Sequence, residues 1–375
     1  AFTLVADLFP PAERARWQGL FVSVLSLALI VGPSIGGTIT DHATWRWVFY
    51  VNLPLGTLAL LLLGGWLPAT VSARGTPYRG WAAVRRIDLA GVLTAAAATA
   101  SLLLALTWGG TIYPWGSAQI VALLVAAGVL YLAFFIVERI VPEPLLPLDL
   151  FGNQVYTASV LLAFAGGMIV YAMIFYLPLF MQGVLGQSAT TSGVSLAPLF
   201  IPVAVSAVIG GLLITKVGRY HVLAVAGALI LLTGLFLLTR VDVTTAFLTA
   251  TLNMIVIGIG IGILQPIYTV AGQNAIPLAR LGAGTGAMNY VRAMGSLLGT
   301  AVLGAIVARS APAAHAAILP LTARVSLAAS LDQVFLVTFG VGIVALIITL
   351  FLKDVRLRRR GEGLQDAPSA GKSTV

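Results

Sequence analysis

Residues 150–215 read LFGNQVYTASVLLAFAGGMIVYAMIFYLPLFMQGVLGQSATTSGVSLAPLFIPVAVSAVIGGLLIT, and none of them is charged. A bilayer crossing takes about 20 mostly apolar residues. This stretch is therefore too long for one crossing and predicts two. The turn falls near 182–193 (QGVLGQSATTSG), where small and polar residues gather. The solvent for such a surface is lipid.

The same reading extends in both directions. Runs at 17–39, 47–67, 89–108, 117–137, 155–180, 194–215, 222–239, 245–270, 285–308 and 332–352 each have the length and polarity of a span. Composition agrees: 59% of the 375 residues are hydrophobic, 9% are charged and the mean hydropathy is +1.02. A soluble domain carries about 25% charged residues. The fold class is thus all-α and polytopic, with about ten transmembrane helices.

The charges that remain set the topology. With alternate loops assigned to two sides, starting at 1–16, sixteen of the 21 Lys and Arg fall on side one and four on side two, while Arg292 falls within a span. The positive-inside rule makes side one cytoplasmic. Both chain ends are then cytoplasmic, in a plasma (bacterial inner) membrane. The formal charge of +9 is explained by these loops, and no basic stripe with interleaved aromatics points to nucleic acid.

Cysteine is absent, which excludes disulfides and thiolate chemistry. His42, His221 and His315 lie far apart and lack metal-ligand spacing, so no metal is expected. GIGIG (258–262) and GAGTG (282–286) look like nucleotide loops but sit in or against apolar helices, where close packing is the better reading. GKST near the end lacks the glycine and spacing of a P-loop. No intramembrane cluster of His, Asp, Glu or Cys suggests an enzyme.

Two spans stand apart. The Ala-rich 89–108 and the following 117–137 are joined by an uncharged turn and bounded by a basic loop (68–88) and the Pro- and Leu-rich 138–154. They read as an inserted hairpin. A weak internal echo pairs Pro11-x-x-Arg14 with Pro277-x-x-Arg280, each before a Gly-rich span.

The first span holds Gly19, Ala28 and then GPSIGG, with Gly32, Pro33, Gly36 and Gly37. Pro33 removes a backbone hydrogen bond and favours a kink, and the glycines permit close helix approach. This pattern resembles the antiporter motif in the fifth helix of major facilitator exporters, with Ala28 at a usual Gly. WRWVFYVNLPLG (45–56) and YLPLFMQGVLGQSATTSGVSLAP (176–198) resemble segments of the fourteen-helix drug:proton antiporter branch. So does GAGTGAMNYVRAMGSLLG (282–299). Gly211, Lys216, Gly218 and Arg219 resemble the second-half copy of the family's cytoplasmic loop motif, with Thr215 where Asp is usual.

This resemblance runs in order from Asp7 to about Arg360. It implies a major facilitator bundle from helix five onward, about four helices being absent before Ala1. Residues 1–67 would close the N-terminal six-helix bundle, 68–154 would be the inserted pair with its connectors, and 155–353 the C-terminal bundle. Residues 354–375 would form a disordered cytoplasmic tail. The implied function is export of small lipophilic or cationic drugs by alternating access, with a proton gradient in place of a cofactor. Protons and the lipid bilayer would be the other partners. An uptake symporter for a small solute, or a truncated product without transport, stand as alternatives.

The resemblance places the coupling carboxylates in the first and fourth helices. All twelve acidic residues here lie outside the spans or at their ends, Asp41 and Glu138 among them, where a solvated cap is the expected role. The candidate transport path is Asn52, Tyr171, Phe175, Gln182, Asn253, Gln265, Tyr268, Asn289 and Arg292. For the amides helix packing competes with a path role. For Arg292 snorkelling competes with a functional pairing.

Overall fold

A backbone N–H or C=O in lipid has no water to turn to, so each crossing closes its hydrogen bonds within one helix. The structure, a computed structural model, describes residues 5, 9, 11–66, 88–141, 144–186, 196–217, 220–277, 280–308 and 320–352. Helix α1 spans Pro11–His42, the short α2 Trp47–Tyr50, α3 Asn52–Trp66, α4 Leu89–Trp108, α5 Ala118–Ile140 and α6 Gln154–Leu179. Then follow α7 Ala197–Val217, α8 His221–Leu238, α9 Phe247–Asn274, α10 Leu281–Val307 and α11 Leu321–Leu350. Among the described residues ten segments are long and apolar enough to cross a bilayer, α2 and α3 together forming one.

These ten coincide with the ten runs read from the sequence, with one correction. The last begins at Leu321, three turns before the expected 332. Arg324 and Asp332 dilute the hydropathy of its first half. Arg324 is satisfied there by the Val184 carbonyl, to which Nε donates at 2.7 Å. Arg324 is thus a helix residue, and Asp332 lies on the exposed surface of α11 instead of at its end. The loop at 68–87, the turn at 187–195 and the tail at 354–375 lie outside the described residues.

Side chains cap the starts of several helices. Asn153 Oδ1 accepts the Val155 and Tyr156 N–H groups at 2.9 and 3.2 Å, opening α6. Ser117 opens α5 and Asp88 opens α4 in the same way. Past Pro178, α6 loosens into a π turn at Phe180–Val184, as a proline within a helix favours.

Two contacts join ends that the alternation of charges assigns to one side. Arg280 forms an ion pair with Asp149 between two side-one ends. Arg324, in the first turn of α11, reaches Val184 in the π turn after α6, between two side-two ends.

The main core joins α1 to the bundle of α6, α7, α8, α9 and α11. Helix α1 lies on α7 and α9, and α6 lies on α10. Without an aqueous drive between helices, close backbone approach sets such contacts. At the α1–α7 crossing the arrangement is reciprocal. A Cβ on Gly19 would strike the Ala207 carbonyl, and one on Gly211 would strike the Ala15 carbonyl. The α6–α10 crossing repeats it: Gly167 faces the Arg292 carbonyl and Gly295 faces the Phe164 carbonyl.

GIGIG is a packing device. Residues two apart on a helix point nearly opposite ways, so Gly258 and Gly262 face α7 while Gly260 faces Leu231 of α8. Helix α1 runs unbroken through Pro33. Gly32 and Gly36 meet no atom within 4 Å, so the close approach expected there is made lower down, by Gly19. Gly37 continues α1; the surroundings of Pro33 and Gly37 lie outside what is described.

The inserted hairpin α4–α5 docks on α10, where Ala95, Phe134 and Leu146 pack with Ala287. Here Glu138 departs from the expected solvated cap: it is 4% exposed and accepts the Leu146 N–H at 2.8 Å. The connector after α5 folds back over the helix end and covers it.

Candidate functional site

Helices α1, α6, α7, α9 and α10 leave a cavity of about 200 Å³ between them. Its walls are apolar where α1 and α7 contribute Val22, Leu25, Leu29 and Phe200. They are polar where α9 and α10 contribute Gln265, Tyr268, Asn289 and Arg292, with Tyr171 from α6.

Arg292 is the twelfth residue of α10, about 16 Å along the helix at 1.5 Å per residue. Its Nη2 donates to Asn289 Oδ1 at 2.9 Å, and Asn289 Nδ2 donates to the Thr285 carbonyl at 3.0 Å. The amide is therefore oriented with its oxygen toward the guanidinium. The Tyr268 hydroxyl lies beside Arg292 from α9. The reciprocal glycines Gly167 and Gly295 hold this level of α10 against α6. Among the described residues no carboxylate pairs with Arg292. Its charge lies on the polar wall of the cavity, opposite the apolar wall of α1 and α7.

Below the cavity, toward side one, the helices close. Ser23 Oγ of α1 donates to the Ala204 carbonyl of α7 at 2.6 Å. One turn lower Gln18 Nε2 donates to Gln273 Oε1 at 2.7 Å, and Gln273 Nε2 donates to Thr285 Oγ1 at 3.4 Å. Gln18, Gln273 and Thr285 are each at most 1% exposed. A continuous polar file thus runs from the side-one end of α1 through Thr285 and Asn289 to Arg292. Toward side two, α1 carries Leu27, Val31 and Ile35 exposed.

Of the residues singled out from sequence, Tyr171, Gln265, Tyr268, Asn289 and Arg292 meet at this cavity. Phe175 stacks obliquely on Tyr171, ring centroids 6.3 Å apart, beyond the rim. Asn52 is exposed on α3 and bonds the Val48 carbonyl. Asn253 is buried and donates to the Leu237 carbonyl of α8 at 3.3 Å, a packing bond. Gln182 sits in the π turn at the side-two end of α6. Of the loop motif, Gly211 lies in the α1 contact; Gly218, Arg219 and the Lys216 side chain lie outside the described residues.

Sequence reading missed Gln18, Gln273 and Thr285. A usable signal exists: Gln18 directly precedes the crossing Gly19, and Gln273 is an amide in the same apolar helix as Gln265.

Comparison with known proteins bears on this geometry. The profile described as Major Facilitator Superfamily matches residues 1–300. The multidrug transporter protein MdtP of Bacillus subtilis (strain 168) is 37% identical over 306 residues, covering 82% of this chain and 55% of its own length. Multidrug resistance protein 3 of the same organism is 32% identical over 306 residues, 82% and 58% of the two chains. The MFS-type efflux transporter ffsH of Aspergillus flavipes is 32% identical over 425 residues, covering 99% of this chain and 74% of its own. The chain spans about half the length of the two Bacillus relatives.

Proposed function

The chain belongs to the Major Facilitator Superfamily, and on that premise we infer that it is the part from helix five onward of an exporter of small amphipathic molecules, driven by a proton gradient across the plasma membrane. One observation carries the transport reading: a half-apolar cavity holding Arg292 lies directly above a seal made of Gly19, Gly211, Gln18 and Gln273. A site between two groups of helices that cross backbone to backbone is what rocking-type alternating access requires. The relatives named for multidrug transport and efflux support the outward direction.

The cavity chemistry narrows the substrate. Apolar walls favour a lipophilic body. Arg292, with no acid beside it among the described residues, favours a hydrogen-bond acceptor or an anionic group on that body. A cationic substrate would have to carry its charge away from α10, toward Tyr171 and Phe175, whose faces attract cations. Proton coupling rests on the family premise.

The test is transport by the chain in its complete reading frame, reconstituted in proteoliposomes with an imposed proton gradient and a fluorescent amphipathic dye. Dye movement against the proton flow supports export. Movement with the proton flow would replace it by symport, and no gradient-dependent movement would remove the transport reading.

A further inference from the structure

Behind the polar wall of the transport cavity lies a second, smaller cavity of about 30 Å³. The two share one side, made of Gly166 and Val170 of α6 with Ile261, Gln265 and Tyr268 of α9. The far side belongs to the small cavity alone and includes Leu162 of α6, Leu231 of α8, Leu264 of α9 and Ala345 of α11. These far-side groups are all alkyl. Ala345 is the smallest of them, and it comes from a helix that lines no part of the larger cavity.

At the α6–α9 contact Gly166 puts no side chain between the two cavities, and a Cβ there would stand 3.3 Å from the Tyr268 hydroxyl. The Gln265 side chain makes no hydrogen bond among the described residues, while its backbone carbonyl accepts from Thr269 Oγ1 at 2.8 Å. Asn289, on the same polar wall, is by contrast held at both ends of its amide. Protein interiors are packed to the density of organic crystals. An apolar hollow gives water too few hydrogen-bond partners and takes an apolar group instead. At about 10–15 Å³ for each water-sized group, 30 Å³ holds about two or three of them.

We propose that the small cavity is a subsite of the transport site that takes a short alkyl branch of the substrate, with Gln265 as its movable partition and Ala345 as the floor that limits the branch to about two or three carbons. This rests on the larger cavity being where substrate binds. The position of the partition fixes where the branch sits on the molecule. Gly166 adjoins Gly167, which faces the Arg292 carbonyl across the α6–α10 crossing, and Tyr268 lies on the shared side with its hydroxyl beside Arg292. An acid group on Arg292 and a branch in the subsite therefore belong to neighbouring atoms of one molecule, while its lipophilic body lies against α1 and α7. The substrate class is a lipophilic acid branched next to its acid group, such as an N-arylsulfonyl derivative of an alkyl amino acid.

Dansylglycine, dansylalanine, dansylvaline and dansylphenylalanine share a fluorescent body and a carboxylate and differ only in the branch. Their binding to the complete protein in lipid nanodiscs, read by dansyl emission, tests the subsite. In the wild type, affinity should rise about fourfold for each carbon from dansylglycine to dansylvaline and gain nothing further at dansylphenylalanine. Ala345→Val fills the floor and should flatten the rise while leaving dansylglycine unchanged. Gln265→Ala joins the two cavities and should move the optimum to dansylphenylalanine. Arg292→Ala should weaken all four alike. A series that binds the wild type with no dependence on the branch overturns the subsite and leaves the larger cavity as the substrate site. So does a rise that both Ala345→Val and Gln265→Ala retain unchanged. The wild-type series and Gln265→Ala decide the matter even if Ala345→Val fails to fold. Failure of every probe to bind, or binding indifferent to Arg292→Ala, removes the substrate-site reading itself and the subsite with it.

Discussion

Arg292 carries the heaviest burden of any single residue. A cation at the centre of a membrane helix costs about 2.5–3.5 kcal/mol on insertion scales, so its removal should not destabilise the fold. What it supplies is charge-assisted bonding, worth about 1.5–3 kcal/mol per bond. Arg292→Ala should therefore assemble normally and weaken substrate binding roughly 10- to 100-fold. Arg292→Lys keeps the charge without the planar fork and should fall between. Equal binding by all three, measured by dye titration, would remove Arg292 from the site. Asp242 shows the ordinary carboxylate by contrast. Bonds first from Thr244 and then from Thr245 hold its carboxyl below the usual range in the exposed α8–α9 turn. A depressed carboxyl stabilises its turn above the ordinary range and loses that contribution as pH falls through the folded value. Hydrogen exchange at 242–245 should accordingly rise in acid, relative to the base rate at each pH, and Asp242→Asn should remove the effect.

Among the elements, the α1–α7 crossing decides whether side one is sealed. Gly19 and Gly211 each oppose a carbonyl of the other helix, so there is no far end of a side chain to swing aside. Overpacking costs about 1–3 kcal/mol, here charged to the sealed state. Gly19→Val should open side one and slow transport, and Gly211→Val should do the same. The Gln18–Gln273 bond beside them has a sharper test because the chain contains no cysteine. Gln18→Cys with Gln273→Cys should be bridged by a short, reducible bifunctional thiol reagent, because glutamines that meet at their tips hold their Cβ atoms too far apart for a direct disulfide; the bridge should arrest transport, and reduction should restore it. Efficient cross-linking with undiminished transport would show that this contact never has to open.

At the scale of the whole molecule, the described helices meet on the side-one side of the cavity through Gln18 and Gln273, while the far half of α1 stands exposed. Ser26, buried on the cavity wall, should as Ser26→Cys react with a membrane-impermeant maleimide from side two. It should lose that reactivity when Gly19→Val holds side one open. Reaction from side one in the unmodified protein would invert this assignment. Among the described residues the hairpin α4–α5 docks chiefly on α10, where it meets Ala287, Tyr290 and Val291.

Hydropathy determined, from the sequence alone, that this is a multi-pass helical membrane protein, with ten candidate spans among the described residues, and charge placement assigned it an expected sidedness. Both signals are local: a span must be apolar along its whole length, and a loop cation stays in its own loop. The Gly, Pro and amide patterns also drew attention to α1, α9 and α10, three of the helices that line the cavity. Which polar residue faces which neighbour was not legible, because it depends on helix rotation and crossing. Asn253 and Arg292 are both polar groups within apolar helices, yet one bonds a neighbouring backbone and the other faces the cavity. Gln18 and Gln273 are 255 positions apart and meet only because Gly19 lets α1 reach α7 and α9. Glu138 looked solvated at a helix end until the connector after it folded back. In lipid, composition decides that a segment crosses the membrane. Only close backbone contact between distant segments decides which of its few polar groups are brought together.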